Sequence, residues 1–310
     1  MPTDPAPVRD RGGATGPTIA AVEAQEPFID GRADPRGALI EHGYAFLPDL
    51  LPRERVMALR EEVLTHAADG GWLAAGTEPA QALAGTEVPR IRETDVFRRV
   101  LCAQRFHELG GDPAITAQVA SILDAPAFCL PRKILRAAWP QAANGPTAPH
   151  QDLPQVGGSP DMITAWIPLG DYVAGDGRLM ILAGSHRAGL LRASRPWEID
   201  TDELDLPWHG SDFRAGDVLL FHALSVHAAE PNTSTRLRLS MDTRFQPIDD
   251  PVAPESLIAD LSDLRWEDVY DGWTSTADRW YWHDLALDVR HRPVTRRGLQ
   301  ARARSRLLGS

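Results

Sequence analysis

The sequence predicts an α+β fold with a helical N-terminal layer, an antiparallel β middle and a short helical end. Three observations carry that expectation. Sustained helical spacing of apolar residues is confined to the first third or so of the 310-residue chain. From Ala127 short apolar runs alternate with Gly, Pro and Asp turns, the texture of an antiparallel sandwich or barrel. Between Ser256 and Asp288 stand Trp266, Tyr270, Trp273, Trp280, Tyr281 and Trp282, which read as helices packing aromatic side chains onto the β core.

Residues 1–34 are rich in Pro, Gly, Ala and Asp without a sustained period and read as a disordered leader. Order is expected near Leu39, with GYAFLPDLL forming a short strand and turn. A helix then starts at Pro52, a favourable first-turn residue, with Val56, Leu59, Val63 and Leu64 on one face and Gly70-Gly71 as its stop. Further helices are expected over Val96–Leu109 and Ile115–Leu123. The strand-forming runs are FCLPRKILRAAWP, MITAWIPLGDYV, GRLMILAGSH, GDVLLFHALSVHAA and RLRLSMDTRFQP. Residues 35–288 are expected to form one domain, and 289–310, with seven arginines and no acid, a basic tail.

Composition narrows the function. Hydrophobic residues make up 43% and charged residues 24%, enough for a sizeable core. The formal charge of −11 argues against a nucleic-acid partner, which needs surplus Lys and Arg. Cys102 and Cys129 are too few for a disulfide framework and are expected to stay reduced. The start, MPTDPAPVRDRGGATGP, lacks a basic stretch followed by an apolar one, and the apolar run at 218–229 is too short for a membrane helix. No membrane association and a cytoplasmic location are therefore expected. Lys133 is the only lysine, so an arginine here needs positional support before it is read as functional.

The stretch His150-Gln151-Asp152 carries the most chemistry. In a strand, residues two apart share a face, so an imidazole and a carboxylate can aim at one point. A second histidine would complete the two-His, one-carboxylate set of non-haem iron oxygenases, which leaves sites open for substrate and O₂. His186, His209, His222 and His227 are the candidates, and spacing alone leaves both His222 and His227 open. The run Arg236-Leu237-Arg238-Leu239-Ser240 alternates with period two, so Arg238 and Ser240 share a face that could grip a carboxylate.

These residues resemble the phytanoyl-CoA dioxygenase (PhyH) family. The resemblance rests on His150-Gln-Asp152, Thr164-Ala-Trp166-Ile-Pro-Leu169, Gly177-Arg-Leu179 with Gly184-Ser185-His186, and Gly216-Asp217 followed by His227, Pro231-Asn232 and Arg238-Leu-Ser240. The opening His42-Gly43-Tyr44 and Leu51-Pro52 are similar as well. It implies a double-stranded β-helix (jelly-roll, cupin-like) core and an Fe(II)/2-oxoglutarate-dependent dioxygenase of the EC 1.14.11 type, using O₂ and helped in vitro by ascorbate. In that family the second histidine precedes the 2-oxoglutarate arginine by about eleven residues, the separation of His227 from Arg238. The resemblance thus implies His150, Asp152 and His227 as metal ligands and Arg238 with Ser240 at the cosubstrate, joined by Gln151 and Trp166. Ala229 stands where some members carry a serine, and His186 falls in a structural turn. Arg132, Lys133 and Arg136 lie where family members place polar residues near the cosubstrate, with their facing open.

The expected substrate is a small molecule, a natural-product intermediate in keeping with the GC-rich composition, since −11 disfavours a strongly anionic acyl-CoA. The rival expectations are a cupin-like iron enzyme without 2-oxoglutarate and a non-catalytic jelly-roll binding protein.

Overall fold

The computed structural model describes residues 24–142, 145–195, 197–290 and 307. In chain order the elements are α1 (Pro35–His42), β1 (Tyr44–Leu47), α2 (Arg53–Asp69), α3 (Asp95–Cys102), α4 (Gln104–Gly110), α5 (Pro113–Leu123), β2 (Ala127–Cys129), β3 (Ile134–Ala138), α6 (Leu153–Val156), β4 (Ile163–Pro168), β5 (Leu179–Leu182), β6 (Ala193–Arg195), β7 (Glu198–Ile199), β8 (Trp208–His209), β9 (Val218–His222), β10 (His227–Ala229), β11 (Arg238–Pro247) and α7 (Trp266–Val269).

Two antiparallel sheets face each other. The larger runs β1-β9-β4-β11-β2, with β3 also paired to β11; the smaller runs β10-β5-β8. Period-two alternation sorts their side chains. Ala45, Leu47, Val218, Leu220, Ile163, Ala165 and Ile167 join the main core beneath the helices. Tyr44, Phe46, Leu219, Phe221 and Trp166 point the other way and fill the space between the sheets with Phe28, Leu179, Ile181 and Phe213. β11 is buried along its whole length because both of its faces are covered.

The helices form where their ends are capped. Asp34 accepts the Gly37 N–H at 2.8 Å to open α1, Thr94 accepts Phe97 N–H at 3.2 Å at α3, and Asp112 accepts Ala114 N–H at 2.9 Å at α5. Gly43 ends α1 at φ +80°, and a Cβ there would meet His186 Nδ1 at 2.5 Å and Ser225 Oγ at 2.6 Å, so only glycine fits.

Several expectations need correction. The helix expected over Val96–Leu109 is two helices broken at Ala103, whose φ of −70° and ψ of 121° are extended. α1 was not foreseen. The leader expected through residue 34 is shorter among the described residues: Glu26 bridges His209, Asp30 bridges Phe46, and Phe28 is buried. The helical end contains only the single α-turn α7. Its aromatics do pack as expected, with Trp266, Tyr270, Trp273 and Trp282 buried, but their polar atoms cap carbonyls of neighbouring segments. Trp273 Nε1 reaches Cys102 O at 2.8 Å and Tyr281 Oη reaches Cys129 O at 2.9 Å. Those ties replace the backbone regularity a helix would need. Of the tail expected at 289–310, residues 291–306 and 308–310 lie outside the described residues. Val289 bridges Val252, and Leu307 is buried against the main core. Among the described residues no helix is long and apolar enough to cross a membrane, and both cysteines are free.

Candidate active site

The two sheets part at one end around a cavity of about 880 Å³. That lies within the roughly 300–1,000 Å³ typical of small-molecule sites. His150 and His227 enter it together, because their backbones form an isolated antiparallel bridge with N–H···O distances of 3.0 Å in both directions. A hydrogen-bonded antiparallel pair puts both side chains on one face. The imidazole centroids stand 4.1 Å apart, and Phe221 packs 4.6 Å from the His227 ring.

Asp152 arrives differently from the strand geometry expected for it. It has helical φ −73° and ψ −36° as the N-cap of α6, and its carboxylate swings back to the histidines. The ligand atoms of His150, Asp152 and His227 lie within 4.8 Å of one another, with all three residues buried. Asp152 Oδ1 is 3.8 Å from His227 Nε2.

The surroundings prepare each group to hold a divalent ion. His150 Nδ1 lies 2.8 Å from Ala148 O and His227 Nδ1 lies 3.1 Å from Ser225 O. In the tautomer these carbonyls require, Nδ1 donates and Nε2 is left as a lone-pair donor. Burial keeps both imidazoles neutral. It pushes His150 below its usual value, and it pushes His227, helped by the neighbouring His150, down to about 3. Burial works to raise the Asp152 carboxyl, but Arg244, the two imidazoles and the Thr164 hydroxyl outweigh it and hold it well below the carboxylate range. The outward oxygen, Oδ2, accepts from Thr164 Oγ1 at 2.7 Å and from Arg244 Nη2 and Nε at 3.1 and 3.3 Å. Oδ1 remains for a metal.

On β11 the alternation that begins at Arg238 and Ser240 continues through Asp242 to Arg244. Arg238 is buried and has no carboxylate partner among the described residues. Its Nε donates to Gly177 O at 2.9 Å, its Nη1 to Ser240 Oγ at 2.8 Å, and its guanidinium carbon lies 5.9 Å from the Trp166 ring centroid. Burial lowers its pKa to about 10. Arg238 and Trp166 both line the cavity that holds the histidine pair.

Of the residues expected at the cosubstrate, Gln151 is misplaced. Its Nε2 donates to Gly189 O at 2.8 Å and Leu224 O at 2.6 Å, and its Oε1 accepts Leu191 N–H at 3.0 Å. The amide is turned away from the cavity and braces two loops behind the histidine pair. The facing left open on β3 resolves to Arg136, which lines the cavity. Lys133 packs 5.8 Å from the Tyr281 ring instead. Arg244, Thr164 and Asp242 escaped the sequence reading. Extending the period-two count from Arg238, and counting back two from Trp166, would have found all three.

His222 also stands apart from the triad. Its Nδ1 accepts Leu224 N–H at 3.0 Å, its Nε2 is unpartnered among the described residues, and its ring is 5.8 Å from that of His186. Burial pushes His222 down to about 3 and His186 to about 4. Unfolded, such imidazoles protonate near pH 6.5. Their contribution is therefore whole above pH 6.5 and lost as pH falls from there toward 4, by up to about 1.4 kcal/mol per pH unit for each. His222→Ala is expected to cost about 1–3 kcal/mol at pH 7, through the orphaned Leu224 N–H, and to shallow the loss of stability below pH 6.5. Urea midpoints at pH 7 and pH 5 test both parts.

Arg244→Ala is expected to lower metal affinity about 10–100-fold, the usual effect of losing a group that orients a ligand. A Co(II) titration followed by visible absorption reads this directly. Arg244→Lys should recover only part of it, because a single ammonium cannot reproduce two N–H contacts to one oxygen.

Two imidazoles and a carboxylate at the mouth of a double-stranded β-helix form the donor set of a non-haem iron oxygenase, three ligands on one side and an open cavity on the other. The sequence profile of the phytanoyl-CoA dioxygenase (PhyH) family matches residues 39–240. The chain belongs to that family, and is a dioxygenase using iron and 2-oxoglutarate. It is 31% identical over 244 residues to the 1-deoxypentalenic acid 11-beta-hydroxylase of Streptomyces arenae, covering 71% of this chain and 83% of that one. The Streptomyces exfoliatus enzyme of the same name is 30% identical over 245 residues with the same coverage. The fold is similar to that of the epimerase SnoN in complex with Fe3+, alpha ketoglutarate and nogalamycin RO. The TM-score is 0.56 at 22% identity, covering 75% of this chain and 89% of that one.

Proposed function

We propose that the protein hydroxylates a C–H bond of a small natural-product intermediate. In this reading His150, Asp152 and His227 hold Fe(II), while Arg238, Ser240 and Trp166 hold the far carboxylate of 2-oxoglutarate. The observation that carries it is the Arg238 guanidinium, buried and without a carboxylate on the wall of the cavity that holds the triad. A buried cation is costly unless a partner arrives. A dicarboxylic cosubstrate supplies that partner at one end and a chelating keto acid at the other. A cupin-like iron enzyme without 2-oxoglutarate would leave Arg238 uncompensated. Residues 35–288, extended by 24–34, make the catalytic domain.

With 2-oxoglutarate and O₂, the iron supplies the oxidising power for C–H cleavage; one oxygen atom goes to the product, the other to succinate, and CO₂ leaves. The protein's own part is positional. The backbone bridge fixes the two imidazoles, Thr164 and Arg244 fix Asp152, and the Arg238–Ser240 pair sets the direction of the cosubstrate. Phe221 and Leu179 line the apolar wall that keeps water from the reacting C–H. The two hydroxylases that share about 30% identity with this chain support hydroxylation over other oxidations.

The test is succinate formation from 2-oxoglutarate with Fe(II) and ascorbate, coupled to a metabolite screen for a mass gain of one oxygen atom. Asp152 fills the position a halide would need, so the product is expected to stay halogen-free in chloride buffer. Chlorinated product, or no 2-oxoglutarate consumption with any metabolite, would sink the reading.

A further inference from the structure

We infer that Arg136 is the anchor for an anionic group, a carboxylate above all, on the organic substrate. The inference rests on the oxygenase reading above and names the chemical class that this cavity accepts.

Arg136 lies opposite Ser240 in the β3–β11 register, so it shares the cavity face of β11 with Arg238, Ser240 and Asp242. Its Nε donates to Asp242 Oδ2 at 2.7 Å, which fixes the plane of the guanidinium. That is its only hydrogen bond among the described residues. Both Nη groups remain on a side chain that is 38% exposed and lines the cavity. A planar fork held by one nitrogen and open at the other two is pre-shaped for bidentate capture of a carboxylate.

Charge reasoning reaches the same place. The other charged groups around the cavity are matched locally: Arg90 with Glu93 at 3.4 Å, Arg92 with Asp260 at 3.6 Å, and Arg178 with Glu230 at 2.8 Å. At the centre stand Asp152, Arg244, Asp242 and Arg136 in sequence, with contacts of 3.1, 3.6 and 2.7 Å, together neutral. Arg238 adds one positive charge. A divalent metal and doubly charged 2-oxoglutarate cancel, so the loaded site keeps that single positive charge. Because the metal draws on Asp152, the excess spreads through Arg244 and Asp242 to Arg136, the member of the row that opens to the cavity. A monoanionic substrate neutralises it, whereas a neutral one leaves buried charge uncompensated. This local excess holds even though the whole chain carries −11.

The carboxylate could come from the substrate or from 2-oxoglutarate, and the experiment separates the two. Protein loaded with Mn(II) and 2-oxoglutarate is mixed with a panel of terpenoid and polycyclic carboxylic acids and their methyl esters, with binding read by thermal shift and calorimetry. The acids that bind are expected to do so at least tenfold more tightly than their esters. Arg136→Gln should erase that preference, and Arg136→Lys should restore part of it. Affinity for 2-oxoglutarate itself should move less than threefold in either variant. Esters that bind as well as acids, silence from every acid, or a loss confined to 2-oxoglutarate affinity would each overturn the assignment. If succinate is never produced but the acid preference and its loss in Arg136→Gln are seen, the reaction reading fails while the anchor stands.

Discussion

His227→Ala and His150→Ala are each expected to abolish substrate-dependent succinate formation while leaving the protein folded. Both imidazoles are held neutral with Nε2 free, so their work is done at the metal. Losing an outer group such as Arg244 costs about 10–100-fold in metal affinity, and losing a direct ligand should cost more than that. Folding survives because the bridge between positions 150 and 227 is made by backbone atoms that alanine keeps. Co(II) absorption, circular dichroism and activity measured on the same samples separate the two effects. His222→Ala is the control: it should lose stability and retain metal. Iron binding that disappears in His222→Ala but persists in His227→Ala would mean that the ligand set is wrong.

Arg238→Ala should weaken 2-oxoglutarate about ten- to a hundred-fold, since a hydrogen bond to a charged group is worth about 1.5–3 kcal/mol. Arg236→Ala should do almost nothing. Arg238 is buried and aimed by Gly177 O and Ser240 Oγ, whereas Arg236 has a half-exposed side chain paired with Asp176 at 2.9 Å. Exposed pairs of that kind contribute about 0–1 kcal/mol. Anaerobic calorimetric titration of 2-oxoglutarate into the Mn(II)-loaded variants decides it. Equal effects in the two variants would place the cosubstrate elsewhere in the cavity.

The parts of the molecule that were legible in sequence are those governed by simple periodicity. The apolar face Val56, Leu59, Val63 and Leu64 of α2 and the alternation along β11 are read from spacing because burial enforces them. What escaped depends on contacts between distant segments. α1 has one buried side chain, Leu39, and is held mainly by its caps at Asp34 and Gly43, so its pattern is faint. The turn at Asp152 breaks the strand that period two implied, because Pro154 favours a helical start there. Gln151 was assigned by resemblance to the cosubstrate, but its amide is committed to Gly189, Leu191 and Leu224, partners 38 to 73 residues away. The aromatic end looked helical from its composition, yet its shape is set by which carbonyls its Trp and Tyr side chains could reach.

The backbone bridge between His150 and His227 has a consequence for which ion the protein carries. Two of the three ligands are set at their spacing by main-chain hydrogen bonds, so the pocket exists before any ion enters. In zinc fingers, by contrast, binding drives folding. A ready-made pocket cannot reject an ion by refusing to fold around it. Two imidazoles and a carboxylate also follow the usual affinity order, in which Fe(II) ranks below Co(II), Ni(II) and Cu(II). The protein therefore leaves the choice of metal to supply. Its identity in the cell follows what is plentiful when the chain is made, and material passed over a nickel column is expected to emerge inactive until stripped and refilled.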